Sequence, residues 1–250
     1  MSKVLISIII PVYNHAHTIE RCLRSIEAQT YRPLEVIIVN DGSTDDFEKV
    51  IKSVIPAKAG IRDCVRADSH FHGNDISYQV LHQPNRGAPS ARNRGFAESA
   101  GEDVIFWDAD TIARPGMLEK MMSALQNNPS ASYAYSGFKF GWKTMKPVGF
   151  DAERLKTVNF IDTTSLIRRA DFPGWDENVK RFQDWDLWLT MLEKNKTGVC
   201  VPEILYTKIV GGRAGISAWL PKIFYKLPWL SKRAREYGAA KNVVLKKHLL

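Results

Sequence analysis

Two aspartates separated by one residue are the strongest indication of chemistry in this 250-residue sequence. Asp108 and Asp110 follow the apolar run at 103–107, which predicts a buried strand. In open α/β sheets, ligands bind beyond the carboxyl ends of the parallel strands. Two close carboxylates repel each other, and Mg²⁺ binds one or two carboxylates together with phosphate oxygens of a substrate. The pair therefore suggests a divalent-cation site, although a solvated turn that merely uses aspartate has the same pattern.

Three further side chains could bind a ligand or move a proton. Asp41 follows a second apolar run, where it could accept hydrogen bonds from a base or ribose, or cap the next helix. Arg92 offers a planar fork of donors suited to phosphate, or to a surface ion pair. Asp184 lies in the first turn of a predicted helix, where the helix dipole favours a carboxylate and where it could also act as a general base. Asp186 must point in another direction on a helix, so only one of the two is expected in a site.

The periodicity of apolar residues predicts the elements that would position these side chains. Strands are predicted at 4–12, 34–40, 80–82 and 103–107, and helices at 18–29, 45–55, 88–100, 117–126 and 182–194. Strand, helix and strand with short connections imply parallel strands joined by right-handed crossovers. The first ~130 residues are therefore predicted to form an open α/β sheet of Rossmann-like type.

Residues 56–77 interrupt this pattern, with no sustained period and no apolar face. The stretch resembles peptides translated from mobile palindromic repeats inserted into bacterial genes. We expect a surface insertion without a catalytic task, because loops accept added residues at modest entropic cost. His70 and His72 lie within it, but nothing else there has the spacing of metal ligands, so a metal site is not expected.

Composition and charge exclude several classes of protein. The chain is 44% hydrophobic and 25% charged, as in ordinary globular proteins. The apolar run near the N-terminus is too short for a membrane span and lacks the features of a secretory signal. Cys22, Cys64 and Cys200 are far apart and show no CxxC spacing, so neither a disulfide framework nor a zinc site is expected, and a cytoplasmic location fits.

The net charge of +8 lies entirely in the last fifth of the chain. Residues 1–200 hold 25 basic and 25 acidic residues, whereas 201–250 hold 10 basic and 2 acidic ones. A neutral catalytic body with a basic tail fits this distribution better than a nucleic-acid-binding domain. Residues 213–250 mix Trp, Phe and Leu with Lys and Arg, which suits peripheral attachment to the inner face of the cytoplasmic membrane. The alternatives are a C-terminal helix that covers the sheet, or a subunit contact.

Five motifs resemble, in order, those of the family 2 glycosyltransferases, which have the GT-A fold, and the resemblance covers about residues 4–207. The motifs are SIIIPVYN (7–14), VNDGSTD (39–45), NRGAPSARNRG (85–95), FWDAD (106–110) and FQDWDLW (182–188). The resemblance implies a GT-A domain at 1–212, with helices on both faces of an open sheet and an acceptor-side α+β region. Residues 213–250 would follow as a basic amphipathic extension.

The same resemblance implies a reaction and its participants. A sugar would pass from a nucleotide-diphosphate-sugar to a hydroxyl of a sugar or lipid-linked glycan, with inversion, in the synthesis of a cell-surface polysaccharide or glycolipid. Four residues would line the nucleotide pocket, with the last reaching the base: Pro11, Tyr13, Asn14 and Asp41. Arg92 would help to hold the nucleotide, Asp108 would contact the ribose or the metal, and Asp110 would hold Mg²⁺ or Mn²⁺ against the diphosphate. Asp184 would be the general base.

Two residues depart from the family pattern. Gln183 stands where an acidic residue commonly precedes the base, and Thr111 stands where an aspartate commonly follows the acidic pair. A nucleotide-sugar-binding module with impaired catalysis is therefore an alternative. A sugar-nucleotide pyrophosphorylase would need a glycine-rich basic loop after the first strand, where this chain has PVYNHAH. The loops within 131–180 and the tail are expected to determine donor and acceptor.

Overall fold

The first half of the chain forms parallel strands joined by helices. The computed structural model describes residues 3–55, 76–210 and 232–250, apart from the side chain of Arg233. The elements up to residue 106 are β1 (Ile6–Val12), α1 (Ala16–Glu27), β2 (Leu34–Asp41), α2 (Phe47–Val54), β3 (Ile76–Gln83), α3 (Ala88–Glu98) and β4 (Asp103–Phe106). Strand β1 pairs in parallel with β2 and β4, and β2 pairs in parallel with β3. The continuous apolar runs of β1 and β2 arise because both faces of these strands are buried.

The second half extends the same sheet with strands of both directions. Its elements are β5 (Thr111–Ala113), α4 (Met117–Asn127), β6 (Ala131–Phe140), β7 (Lys143–Met145), α5 (Ala152–Thr157), β8 (Leu166–Arg168), α6 (Gln183–Glu193), β9 (Thr197–Lys208) and α7 (Lys232–Lys247). Within the described residues, the strand order is β3-β2-β1-β4-β8-β6-β9-β5, with β7 paired to β6. Strand β9 runs parallel to β6 and antiparallel to β5. The pairing with β5 brings the end of β9 next to the acidic pair that follows β4.

The predicted α/β sheet is confirmed, and the predicted helices lie within a few residues of those observed. Strand β3 is longer than the predicted 80–82, because its residues pair with β2 from Ile76 to Gln83. It is an edge strand of the sheet and half of its side chains are at least partly exposed, so its apolar signal is weak. Ile76 and Ser77, at the end of the predicted insertion, therefore belong to β3. Residues 56–75 lie outside the described residues, and the insertion stays a prediction.

Aromatic side chains fasten α6 to the sheet. The rings of Tyr133 on β6 and Trp188 on α6 lie 4.6 Å apart. The indole Nε1 of Trp188 donates to the carbonyl oxygen of Ile161 at 3.0 Å, and that of Trp185 donates to the carbonyl oxygen of Leu155 at 2.7 Å. These bonds satisfy the polar atoms of buried aromatic residues. They hold the first turn of α6 in place, and Asp184 lies in that turn.

Helix α7 and the residues after it pack against α6. The ring of Tyr237 lies 4.9 Å from that of Phe182, and His248 is buried, with its ring nitrogens 3.0 Å and 2.7 Å from carboxylate oxygens of Asp186 and Glu193. Residues 232–250 thus match the alternative of a C-terminal helix packed on the domain, although it covers α6 rather than the sheet. Residues 213–231 of the predicted extension lie outside the described residues. Among the helices that the structure describes, none combines the length and apolar character of a membrane span.

Candidate functional site

The acidic pair lies at the carboxyl edge of the parallel strands, where the sequence predicts it. Trp107 continues the pairing of β4 by donating its backbone N–H to the carbonyl oxygen of Ile9 at 2.8 Å. Its ring is fully buried, and its Nε1 donates to the carbonyl oxygen of Thr111 at 3.2 Å. This anchored residue fixes the turn in which Asp108 and Asp110 lie before β5 begins.

Asp108 is paired with two cationic side chains. Its Oδ1 accepts from Nη2 of Arg92 at 2.9 Å, and its Oδ2 accepts from Nζ of Lys208 at 2.8 Å. Burial raises the pKa of Asp108, but Lys208 and then Arg92 outweigh burial and hold that pKa well below its usual range. Both carboxylate oxygens of an ionised Asp108 are therefore already engaged.

Asp110, unlike Asp108, has a carboxylate oxygen that no cationic side chain contacts among the described residues. Its Oδ1 is buried and has no hydrogen-bond partner among the described residues. Burial, followed by the negative charge of Asp108, raises the pKa of Asp110 to about 6. A buried oxygen without a partner is costly, and a cation would remove that cost.

The donor set at this edge fits a divalent cation bound together with phosphate. Within the residues that the structure describes, no group of three or more His, Cys, Asp or Glu side chains is arranged to hold a metal by itself. A cation at Asp110 and Asp108 would therefore need ligands from a substrate and water, which is how Mg²⁺ commonly binds.

Arg92 connects the acidic pair to the start of α6. Its guanidinium lies 4.7 Å from the ring centroid of Trp175, and its side chain, on α3, is 7% exposed. Besides the bond to Asp108, its Nη1 donates to Oε1 of Gln183 at 3.0 Å. Gln183 thus holds the arginine with a neutral acceptor, at the position where the resemblance leads us to expect an acidic residue.

Asp184 opens α6 with its carboxylate facing the same cluster of charges. Its Oδ2 accepts from Nδ2 of Asn159 at 2.8 Å, and its Oδ1 accepts from its neighbour's backbone N–H. Burial, followed by the charge of Asp162, raises the pKa of Asp184 to about 6, against the lowering effects of Asn159 and Lys208. Asp186 points elsewhere, to Lys247 and His248, as expected from its spacing.

Asp162 and Lys208 are site residues that sequence reasoning missed. The Nζ of Lys208, at the end of β9, lies 2.7 Å from Oδ2 of Asp162, and Oδ1 of Asp162 accepts from the hydroxyl of Tyr206 at 2.9 Å. Burial lowers the pKa of Lys208, but Asp108 and Asp162 outweigh it and hold that pKa above its usual value. A single lysine at a strand end and a single aspartate in a loop carry no local signal, because the pairing of β9 with β5 and the loop before β8 bring them together here.

Asp41 is buried, and both of its carboxylate oxygens accept hydrogen bonds. Its Oδ1 accepts from Nε2 of Gln83 at 2.8 Å and from the backbone N–H of Arg86 at 2.9 Å, and its Oδ2 accepts from that of Gly87 at 2.8 Å. Asp41 therefore ties the end of β2 to the loop before α3, and it does not cap α2, which begins six residues later at Phe47. Contact with a nucleotide base stays a prediction.

The three other predicted nucleotide-binding residues lie at the same edge. Pro11 is buried in β1, and Tyr13 beyond it is 47% exposed. Asn14 has a φ of 57°, and its Oδ1 accepts from the backbone N–H of Thr44 at 2.8 Å while its own N–H donates to Oγ of Ser43 at 3.0 Å. Asn14 thus joins the loops after β1 and β2, and its role toward a nucleotide stays a prediction.

Solved structures with similar folds contain nucleotide-sugars. Residues 1–349 of TarS from S. aureus, in complex with UDP-GlcNAc, align with a TM-score of 0.66 and 19% identity over 98% of this chain and 71% of that one. The mannosyltransferase PcManGT from Pyrobaculum calidifontis, in complex with GDP-Man and Mn²⁺, aligns with a TM-score of 0.61 and 19% identity over 85% and 59%. At this identity the likeness shows the fold, which is GT-A.

Sequence comparison shows the family. An uncharacterized glycosyltransferase of Rickettsia bellii (strain RML369-C) is 25% identical in an alignment 228 residues long that covers 82% of this chain and 29% of that protein. YibD of Escherichia coli (strain K12), also an uncharacterized glycosyltransferase, is 36% identical over 118 residues, or 47% and 29%. The chain thus spans about three tenths of the length of these relatives. The sequence profile of Glycosyl transferase family 2 matches residues 7–173, and the chain belongs to this family.

Proposed function

We propose that this chain transfers a sugar from a nucleotide-diphosphate-sugar to a hydroxyl acceptor, with inversion and with Asp184 as the general base. The observation that carries the proposal is the placement of Asp108, Asp110 and Asp184 around one buried pair, Lys208 and Asp162. Family membership and the nucleotide-sugars bound by proteins of similar fold support the donor class.

On the donor side, Asp110 and Asp108 would hold Mg²⁺ or Mn²⁺. The unpartnered Oδ1 of Asp110 supports this assignment, and a neighbour of similar fold is complexed with Mn²⁺. When bound, the cation would offset the negative charge of the departing nucleoside diphosphate. Pro11, Tyr13, Asn14 and Asp41 would line the nucleotide pocket, and Arg92 would keep Asp108 in place beside it.

On the acceptor side, Asp184 would take the proton of the attacking hydroxyl. A carboxyl with a pKa of about 6 is mostly ionised at neutral pH and is more basic than an ordinary aspartate. The hydrogen bond from Asn159 would orient it. Direct attack on the anomeric carbon inverts its configuration and needs no nucleophile from the protein.

Transfer and hydrolysis of labelled nucleotide-sugars with Mn²⁺ test the proposal, after thermal shift has identified a donor that stabilises the fold by mass action. We expect Asp184→Asn to lower kcat by about 10²-fold or more, because general-base catalysis contributes that much, while donor affinity stays within about twofold. The control is Glu153→Gln, at a side chain that is 81% exposed on α5, which should leave both values unchanged. Full activity in Asp184→Asn would reject its role as the base.

Gln183 supports a second candidate, a nucleotide-sugar-binding module with impaired catalysis. Its amide accepts from Arg92 where the family commonly places a carboxylate, so the site holds one negative charge fewer. A wild-type chain that binds nucleoside diphosphate but neither transfers nor hydrolyses any donor would favour this candidate.

We also propose that the acceptor is a sugar or a lipid-linked glycan, in the synthesis of a cell-surface polysaccharide or glycolipid, and that the chain works in the cytoplasm, on the inner face of the membrane. Contact with an anionic lipid surface is supported by the mixture of basic and aromatic residues within 213–231, which includes Lys222, Lys226, Trp219 and Trp229. Chondroitin synthase of Pasteurella multocida, 26% identical over 81% of this chain and 21% of that protein, is a relative whose name states a polysaccharide product.

A further inference from the structure

The negative charge of Asp108, beside the candidate cation site, is already paired with two positively charged side chains of the protein. Arg92 and Lys208 each take one carboxylate oxygen of Asp108, at 2.9 Å and 2.8 Å. Among the two residues predicted to hold a metal, only Asp110 has an oxygen that is buried without a partner in the described part of the chain. A cation that arrives alone therefore meets one unpartnered carboxylate oxygen, on Asp110, and a second carboxylate, that of Asp108, whose two oxygens are occupied.

The ammonium of Lys208 is fixed in this position by more than Asp108. Its Nζ also lies 2.7 Å from Asp162, and its side chain is 9% exposed. Its backbone pairs with Thr111, the residue that follows the acidic pair, and the backbone N–H of Ile209 donates to the carbonyl oxygen of Asp110 at 2.8 Å. Lys208 cannot swing into solvent without breaking both ion pairs, so its positive charge stays next to Asp110.

Lys208 therefore opposes the binding of a divalent cation that arrives without a nucleotide. Lys208 repels a dication near Asp110 and competes with it for Oδ2 of Asp108. A diphosphate removes this opposition, because its oxygens supply ligands for the cation and its negative charge attracts both cations at once.

We infer that Lys208 acts as a resident counter-ion that weakens the binding of a divalent cation by itself, so that the cation and a nucleoside diphosphate bind synergistically. The inference deepens the proposed function and rests on its assignment of a cation to Asp110 and Asp108. Lys208 is a positioning residue here, since it acts on the cation through Asp108 and through its charge.

Binding measurements on the full chain test the inference without reference to catalysis. The affinity for Mn²⁺ alone is measured from the electron paramagnetic resonance signal of the free ion. Affinities for UDP and, separately, GDP are measured by calorimetry with saturating Mn²⁺ and with EDTA. We expect the wild type to bind one of these nucleotides at least about tenfold more tightly with Mn²⁺, because coupling between two ligands is reciprocal. Equal nucleotide affinity in both conditions would overturn the inference, whatever the variants show.

Two neutral substitutions test the part played by the lysine. Lys208→Met and Lys208→Gln should each bind Mn²⁺ alone at least about tenfold more tightly than the wild type, because a neighbouring positive charge is gone and Asp108 is released. The glutamine can still donate to a carboxylate, which protects the fold if methionine does not. Lys208→Arg, which keeps the charge, should stay near the wild type.

Lys120→Met controls for the loss of any one positive charge, since Lys120 pairs with Glu203 on the surface at 2.5 Å. Neutral variants at 208 that bind Mn²⁺ no more tightly than this control would contradict the inference. A failed proposed function gives a different result. If the wild type neither transfers nor hydrolyses a sugar, all of these binding constants can still be measured and still test the inference. If Mn²⁺ binds in none of the conditions, the cation site itself is rejected.

Discussion

Four aspartates and two cationic side chains interact at the carboxyl edge of the sheet: Asp108, Asp110, Asp162, Asp184, Arg92 and Lys208. The environments of Asp108, Asp110 and Asp184 divide these three carboxyls into two kinds. The pKa of Asp108 lies well below its usual range beside its two cations, whereas burial raises those of Asp110 and Asp184 to about 6. Catalytic sites in which carboxyl groups of the same residue type have different roles typically hold those groups at different pKa values.

The pKa of Asp184 predicts an acidic limit of activity. The base must be ionised to accept a proton, so kcat should be present above about pH 6 and fall as the pH drops through about 6. Asn159→Ala removes a hydrogen bond to the ionised form, which should raise the pKa of Asp184 and move the acidic limb upward by about one unit.

A profile of kcat between about pH 5 and about pH 9, which brackets the pKa of about 6 at Asp184, measures this shift. Asn128→Ala is the matched control, because Asn128 donates to a carbonyl oxygen at the exposed end of α4. An unchanged acidic limb in a folded Asn159→Ala variant would contradict the role of Asn159 toward the base.

At the scale of elements, close packing of α3 on the sheet holds Arg92 at the site. Gly95 lies on the face of α3 that meets β1 and β2, where an added Cβ would lie 2.5 Å from Cγ2 of Ile9 and 3.2 Å from Cγ2 of Val39. The glycine in SARNRG is therefore explained by helix packing. Arg92, one turn earlier on the same helix, then reaches Asp108.

Gly95→Ala and Gly238→Ala should have opposite effects on stability. The first overpacks the helix against the sheet and should lower the free energy of unfolding by about 1–3 kcal/mol. The second lies in α7, where an added Cβ meets no described atom within 4 Å, and the higher helix propensity of alanine should raise it by about 0.5–1 kcal/mol. Urea unfolding of both variants measures the contrast, and equal changes would refute the packing argument.

The contact between α7 and α6 centres on the buried carboxylate of Asp186. It interacts with His248 at 3.0 Å and Lys247 at 2.9 Å, and His248 also contacts Glu193. His248→Ala should lower the free energy of unfolding by about 2–4 kcal/mol, because it leaves a cavity and removes a partner from a buried carboxylate. Thermal unfolding measures this loss, and Lys246→Ala, at an exposed neighbouring position, should have no measurable effect in the same experiment.

At the scale of the whole molecule, one continuous sheet joins the two halves of the site. The parallel strands carry Asp41 and the acidic pair, and the strands that follow return Lys208 to that pair. Residues 232–250 dock on α6, so a truncation before them would also disturb the base. A test of the membrane proposal therefore has to change 213–231 alone.

Lys222→Glu combined with Lys226→Glu makes that change. We expect sedimentation with phosphatidylglycerol vesicles to weaken by at least about tenfold, since each basic residue near an anionic surface contributes about 1 kcal/mol. Lys49→Glu combined with Lys52→Glu alters the net charge equally, at exposed positions on α2, and should leave sedimentation unchanged. Equal sedimentation of both double variants would exclude a specific role of the tail.

The parallel half of the fold and the acidic pair could be predicted from the sequence because their signals are local. An apolar run marks β1, a helical period marks α6, and the carboxyl ends of neighbouring parallel strands must share an edge. Edge strand β3 was predicted too short, since a half-exposed strand needs fewer apolar residues than a buried one.

Only the tertiary structure decided which charges meet the acidic pair. Lys208 lies 100 residues from Asp108, and Asp162 lies 46 residues from Lys208, so no spacing along the chain connects them. Their contact depends on the pairing of β9 with β5 and on the loop before β8. Whereas hydrophobic periodicity is a property of a few adjacent residues, strand pairing over this distance is determined by the packing of the whole sheet.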